Sequence, residues 1–280
     1  MRTVTVKSIL DAVTRKLGLD PLRNLNDDLA RALLTYIHER TQDAWERYDW
    51  LDLTNYEQRA FAPDVDSVTN YNTGAVVYNP PDGNYYSSIS GGIGSVTDFP
   101  ANWTLTTPSP KVIPFIQPGK TEIATVFGVF ATDPRATACA IPVDYAVTSR
   151  GVELFTSCRN TVWLEFRIPF PGIGIDPWSS TVAYSAGDVV YFAGNSYTAL
   201  LGSTNVTPVN GLTWQLFLVP KVLQNFIKSA AYGDAITEDG RAEQALAEYQ
   251  KAENYLLGEY DKQTTQQGAV HTYGAIHVVA

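Results

Sequence analysis

The chain has 280 residues, 45% of them hydrophobic and 18% charged, with a formal net charge of −9 and a pI of about 4.8. That composition belongs to a globular protein with a full core and excludes wholesale disorder. No run approaches the roughly 20 apolar residues of a membrane span, and the acidic balance argues against a simple DNA binder, whose affinity for phosphates comes mainly from Lys and Arg. The opening MRTVTVKSIL lacks the apolar stretch of a secretory signal, so the product is expected to stay in the cytoplasm. Cys139 and Cys158 are too far apart for a metal knuckle or redox motif and are expected to be free core thiols.

In chain order, Ile9, Leu10, Val13 and Leu17 predict a short amphipathic helix ended by Gly18 and the Asp20-Pro21 turn. Asn26 is placed to cap the next helix, with Asp27 and Asp28 at its positive end. Leu29, Leu33, Tyr36, Ile37 and Arg40 follow at helical spacing, and Trp45, Tyr48 and Trp50 continue into an aromatic cluster of core type. From Leu51 the pattern turns to β: Glu122 to Phe130, Val143 to Val147 and Thr161 to Ile168 are rich in β-branched and aromatic residues. In the last of these, Val162, Leu164, Phe166 and Ile168 fall on one face and Trp163, Glu165 and Arg167 on the other, a half-exposed strand ended by Pro169, Pro171 and Gly172.

A Pro-initiated helical pair closes the ordered pattern from Val219 to Lys262. Pro220 suits a first helical position, and Val222, Leu223, Phe226, Ile227, Ala230 and Ala231 share one face. Asp239-Gly240 reads as the break before a second helix that carries Ala245, Leu246, Tyr249, Ala252, Leu256 and Tyr260 on its stripe. Gln263 to Gly268 reads as a polar linker, and Val270, Thr272, Ile276 and Val278 have the period-two spacing of a strand without a partner in its own chain.

The chain also repeats itself. Tyr71-Asn72-Thr73-Gly74-Ala75-Val76-Val77-Tyr78 lines up with Tyr184-Ser185-Ala186-Gly187-Asp188-Val189-Val190-Tyr191. Gly83 to Ser87 then matches Gly194 to Thr198, and Trp103-Thr104-Leu105 matches Trp214-Gln215-Leu216, which predicts two copies of one small β-module. The second copy, with Trp178, Tyr184, Gly187, Asp188, Val190, Gly194, Tyr197, Pro208 and Trp214, resembles the chitin-binding type of carbohydrate-binding module. In the first copy Ala75 replaces the Asp and no Trp precedes Tyr71. The resemblance implies sugar contact through Trp178, Tyr184, Tyr197 and Trp214, whereas a domain so small also needs its aromatics for a core.

The rest of the chain resembles the head-to-tail adaptor (connector or neck) proteins of tailed bacteriophages. The resemblance rests on Val129-Phe130-Ala131-Thr132-Asp133-Pro134-Arg135, on Val162 to Pro171 ending in Arg-x-Pro-x-Pro, and on Pro220 to Asp261, where Asp239-Gly240-Arg241 precedes Ala245, Ala252, Leu256 and Glu259. It implies an α+β chain with a helical adaptor core formed by N- and C-terminal helices, a central β subdomain and two inserted all-β modules. The expected boundaries are 1–66 and 108–175 for the first helices and β core, 67–107 and 176–218 for the modules, 219–262 for the last helices and 263–280 for an extended tail. The implied role is that of a virion structural protein in the neck, forming a twelve-fold ring under the portal protein and docking the next neck or tail-completion protein. Double-stranded DNA would pass through its channel without specific binding, and carboxylates along the bore would suit that role. Val270, His271, Tyr273, Ile276, His277 and Val278 are the expected contacts with the portal or a neighbouring subunit, by strand addition.

No cofactor, metal or catalytic residue is expected. His38, His271 and His277 have no metal-spaced partners, and Gly91-Gly92-Ile93-Gly94 does not join a strand to a helix as a phosphate loop does. The alternative reading is a carbohydrate-binding accessory protein in which the two modules meet a glycan; no recognisable glycosidase carboxylate pair accompanies them.

Overall fold

A computed structural model describes residues 2–21, 27–93, 102–107, 111–136, 140–155 and 160–266. The Asn26 cap, Cys139, Cys158 and the expected tail contacts Val270, His271, Tyr273, Ile276, His277 and Val278 lie outside the described residues. In chain order the elements are β1 (Thr3–Thr5), α1 (Val6–Lys16), α2 (Asp27–Arg47), β2 (Thr54–Ala60), β3 (Asn70–Tyr71), β4 (Val76–Asn79), β5 (Asn84–Ser88), β6 (Gly92–Ile93), β7 (Trp103–Thr106), β8 (Val112–Ile113), β9 (Thr125–Phe130), β10 (Tyr145–Thr148), β11 (Gly151–Leu154), β12 (Thr161–Arg167), β13 (Ala183–Tyr184), β14 (Val189–Phe192), β15 (Asn195–Ala199), β16 (Ser203–Thr204), β17 (Trp214–Leu216), β18 (Leu218–Pro220), α3 (Gln224–Glu238) and α4 (Ala242–Gln266). The fold is α+β, with its described strands paired antiparallel in small sheets. Two compact units result, residues 1–52 with 170–280, and residues 53–169.

In the first unit the helices bury apolar stripes against one another. Thr5 caps α1 by accepting the N–H of Ser8 at 3.2 Å. Val6, Ile9, Leu10 and Val13 then face inward, and the chain leaves the helix through Gly18 at φ +80°. Thr14 and Thr41 are fully buried; each returns its hydroxyl to the carbonyl four residues back, Leu10 at 2.8 Å and Ile37 at 2.6 Å, so neither buries an unpaired polar group. From α3, Phe226, Ile227, Ala230, Ala231 and Ile236 are buried, and from α4, Ala245, Ala252 and Leu256. Gly233 permits the close approach of these two helices, because a Cβ there would stand 2.7 Å from the Tyr249 ring.

Two helix limits differ from the sequence reading. Pro220 does not open a helix: it ends β18, pairs with Thr3 of β1, and is followed by a single 3-10 turn, Lys221–Leu223, before α3 begins. A proline is tolerated in an edge pair because it needs no ladder donor. The other difference is at the end of α4, which runs on through Gln266 where a linker was expected from Gln263. The Gln263 side chain accepts the N–H of Leu51 at 3.2 Å, a tertiary contact that composition does not announce.

The second unit centres on the sheet β2–β12–β9. Val162, Leu164 and Phe166 of β12 are fully buried and join Ile113, Val129, Val152 and Leu154 in the main core, as the alternation predicts. Strands β8, β10 and β11 form a second sheet over that core. Arg59 of β2 is also fully buried; its guanidinium reaches Glu57 at 2.9 Å and the Thr121 carbonyl, and lies 5.5 Å from the Phe166 ring centroid.

One turn is suboptimal. Ala193 and Gly194 form the two-residue link between β14 and β15, with φ of +49° and +85°. Such a tight hairpin link suits Asn-Gly, since alanine in the left-handed region costs about 1 kcal/mol. Ala193→Asn should therefore raise the urea midpoint by stabilising the fold about 0.5–1 kcal/mol without changing the m-value, and Ala193→Val should lower it.

Candidate functional site

The two repeated segments have one geometry. Val76, Val77, Tyr78 and Asn79 of β4 stand opposite Ser87, Tyr86, Tyr85 and Asn84 of β5; Val189, Val190, Tyr191 and Phe192 of β14 stand opposite Thr198, Tyr197, Ser196 and Asn195 of β15 in the same register. The third strand follows suit, with Ser88 opposite Trp103 and Ala199 opposite Trp214. Even the irregular parts agree: Gly74 donates to the Ser88 carbonyl at 2.7 Å and Gly187 to that of Ala199 at 2.8 Å. The Tyr71 hydroxyl accepts the Asp66 N–H at 2.7 Å, and the Tyr184 hydroxyl accepts that of Ser179 at 2.8 Å.

Strand pairing also locates the residue that seemed missing from the first copy. Val65 donates to the Tyr78 carbonyl as Trp178 does to that of Tyr191, each at 2.8 Å, so Val65 occupies the place of Trp178. The signal was available in the spacing, since each precedes its tyrosine by the same interval, but valine does not advertise itself as a substitute for tryptophan.

Of the aromatics implied in sugar contact, Trp214 belongs wholly to the core and the other three pack against it with part of their surface exposed. Trp214 is fully buried, with its ring 5.4 Å from that of Tyr184 at 70°, and its Nε1 donates to the Val206 carbonyl at 3.0 Å. Its indole has no face free for a pyranose. Trp178, Tyr184 and Tyr197 are half-buried against the same cluster of Val190, Ala199 and Trp214. In the first copy Trp103 is likewise buried, 5.5 Å from Tyr71 at 74°.

Each module uses one sheet face for this small core and the other for attachment to its unit. From β4 and β5, Val76, Tyr78 and Tyr85 turn into the main core of the second unit, where the Tyr85 hydroxyl accepts the Phe61 N–H at 2.9 Å and donates to the Asn160 carbonyl. At the equivalent of Tyr85 the second module has Ser196, fully buried, whose hydroxyl accepts the Gly174 N–H at 2.8 Å. Gly174 has no room for a side chain, because a Cβ would lie 2.2 Å from the Val190 backbone. A large residue reaching into a deep core in one copy is thus matched by a small one meeting bare backbone in the other.

Two further constellations lie outside the modules. The segment after β9 folds back so that the Arg135 guanidinium lies 5.3 Å from the Trp163 ring centroid and 5.5 Å from that of Tyr56, with Asp133 accepting at 3.2 Å. Tyr56 donates to Glu165 at 2.5 Å, and burial with that bond holds its phenol above the ordinary range. The other constellation joins three helices: Arg40 of α2 makes a two-pronged bond to Asp234 of α3 at 2.8 and 2.6 Å, and Tyr249 of α4 donates to the same carboxylate at 2.9 Å. The bond to Asp234 raises Arg40 above its ordinary pKa despite partial burial. Sequence reading placed Arg40 and Tyr249 on helical stripes and did not foresee the node, since nothing local links positions so far apart.

No family model, curated protein or solved structure matches the chain. Among the described residues no helix is long and apolar enough to cross a membrane, and no group of three His, Cys, Asp or Glu is placed to hold a metal ion. His38 lies between Phe170, with ring centroids 5.2 Å apart, and the Ile173 N–H, 3.1 Å from its Nδ1, where it serves packing.

Asp234→Asn should destabilise the first unit by about 2 kcal/mol, because it leaves a half-buried guanidinium with a neutral acceptor. Tyr249→Phe should cost about 1 kcal/mol. In a double-mutant cycle followed by urea denaturation the two losses should fall short of additivity, since both changes act on one carboxylate.

Proposed function

We propose that the chain is a virion structural protein, a head-to-tail adaptor whose copies form a ring beneath a portal protein, extend the DNA channel and dock the next neck or tail-completion protein. In this reading the four helices and the β2–β12–β9 sheet make up the adaptor core, and residues 67–107 and 176–218 are modules inserted into it. The observation that carries the reading is the proximity of the two central segments on which the adaptor resemblance rests. Val129 lies opposite Leu164 and Phe130 opposite Trp163 in one sheet, and Arg135 at the end of the first segment stacks on Trp163 of the second. The third segment, from Pro220, supplies the helix pair that Arg40 and Asp234 tie to α2.

No chemistry is needed for this role. The chain would act by shape and by contact with its neighbours, and its acidic balance would let a duplex pass without the attraction that lysine-rich walls exert. Contacts weak in solution would become sufficient once a portal holds several copies close together.

The test is localisation. Cryo-electron microscopy of particles from the phage encoding the chain should resolve one ring of it between portal and tail, and an antibody to residues 242–266 should label that vertex alone. Density for the chain on the capsid lattice or at the distal tail tip would overturn the assignment.

A further inference from the structure

Asn210-Gly211 is the chain's only Asn-Gly pair. The dipeptide is chemically labile, because glycine has no side chain to shield its peptide nitrogen from the carboxamide before it. The nitrogen of Gly211 attacks Cγ of Asn210 and gives up its proton, the bond from Cγ to the carboxamide nitrogen breaks, and ammonia leaves with that proton. Water then opens the five-membered imide at either carbonyl to give aspartate or isoaspartate. One water is consumed and one ammonia released, so the reaction needs no oxidant and no enzyme. Both residues are exposed to solvent.

The fold ties each reacting group to a different partner. The Gly211 N–H donates to the Trp214 carbonyl at 2.8 Å, and Oδ1 of Asn210 accepts the Leu216 N–H at 3.0 Å. A donor on Oδ1 polarises the carboxamide toward attack, but the attacking nitrogen is committed to Trp214, and the carboxamide reaches that nitrogen only by leaving Leu216. These two bonds close the turn that leads into β17. They stand on the module's own core, since Trp214 is fully buried and Leu216 lies opposite Tyr197 of β15. Reaction therefore requires the turn to open, and its rate is that of the unfolded chain multiplied by the fraction of time the turn is open.

We infer that Asn210 is a spontaneous deamidation site gated by the second module: the closed turn keeps it inert, and opening releases it to convert. The product then locks the opening in. Isoaspartate adds one methylene to the main chain between residues 210 and 211, so the bonds of Gly211 and Leu216 no longer close in one register. Conversion also places a new carboxylate in a module, residues 176–218, that contains no Lys or Arg to pair with it. A transient opening becomes a permanent mark on the chain, independently of where the protein resides or what it assembles with.

The test follows the full-length protein at mildly alkaline pH, with and without concentrated guanidinium chloride, by peptide mass spectrometry that separates asparagine, aspartate and isoaspartate at position 210. Conversion should be at least about tenfold slower in buffer than in denaturant. At denaturant concentrations below the global transition it should rise in proportion to hydrogen exchange at the Phe217 amide, which is bonded to the Ser196 carbonyl and is freed by the same opening. Gly211→Ala should melt as the wild type does, because a Cβ there meets nothing closer than the Val209 carbonyl oxygen at 3.8 Å, yet it should convert at least about tenfold more slowly in denaturant. Protein converted in denaturant and returned to buffer should regain helical protection while Phe217 stays in fast exchange. No conversion in denaturant, or an undiminished rate in Gly211→Ala, would remove the site. Equal rates with and without denaturant, or conversion out of step with Phe217 exchange, would remove the gate, and restored protection of Phe217 in the isoaspartate form would show that the mark is not locked in; each overturns the proposal.

Discussion

A β-module of about forty residues has two sheet faces and too little volume to bury both, because surface outweighs interior at that size. The organisation of both repeated segments follows from that constraint. One face collapses on a tryptophan, Trp103 or Trp214, and the other must borrow its cover from a larger neighbour. Tyr85 is the clearest consequence: by sequence it belongs to the module, and by packing it belongs to the main core with Phe61, Val129 and Leu164. The first module is therefore rooted in its unit, and only Val77, Tyr86 and Trp103 with their close neighbours make a core of its own.

The helical layer solves a different problem. Its apolar stripes are rich in alanine and glycine, with Ala230, Ala231, Gly233, Ala245 and Ala252 all buried, so the helices come close but gain little shape specificity from bulk. Directionality is supplied instead by Arg40, Asp234 and Tyr249, whose bonds are satisfied in one register. Lys16 adds a bridge from α1 to Glu248 of α4 at 2.5 Å and lies over the Tyr232 ring. Small residues set the distance between helices, and a few polar ones set the alignment.

Periodicity and punctuation carried most of the secondary structure. The β12 alternation, the Gly240 break and the Gly18 stop are local effects of residue chemistry, and they stand where the sequence puts them. The repeat was legible because both copies keep the tyrosines, glycines and closing tryptophan that the small core requires. What stayed hidden was tertiary. Pro220 is read as a helix start only if β1 is unknown, and Gln263 as linker only if Leu51 is not there to be bonded. The aromatic pattern that suggested a sugar site is, in Trp214, a packing requirement: one sequence signal serves either purpose, and burial decides between them.

The order of the chain adds a constraint on synthesis. β12 is the central strand of its sheet and pairs with β2, whose residues leave the ribosome more than ninety positions earlier, as the register of Thr161 with Ala60 requires. α1 and α2 wait longer still, since the partners of Arg40 and Lys16 lie in α3 and α4 near the other end. Until those helices emerge, the stripe of Val6, Ile9, Leu10, Leu33 and Ile37 has no cover from them. The second unit has all its strands made by then, so chain order leaves it free to close on itself before those helices emerge, while the first unit has to hold its beginning open for its end.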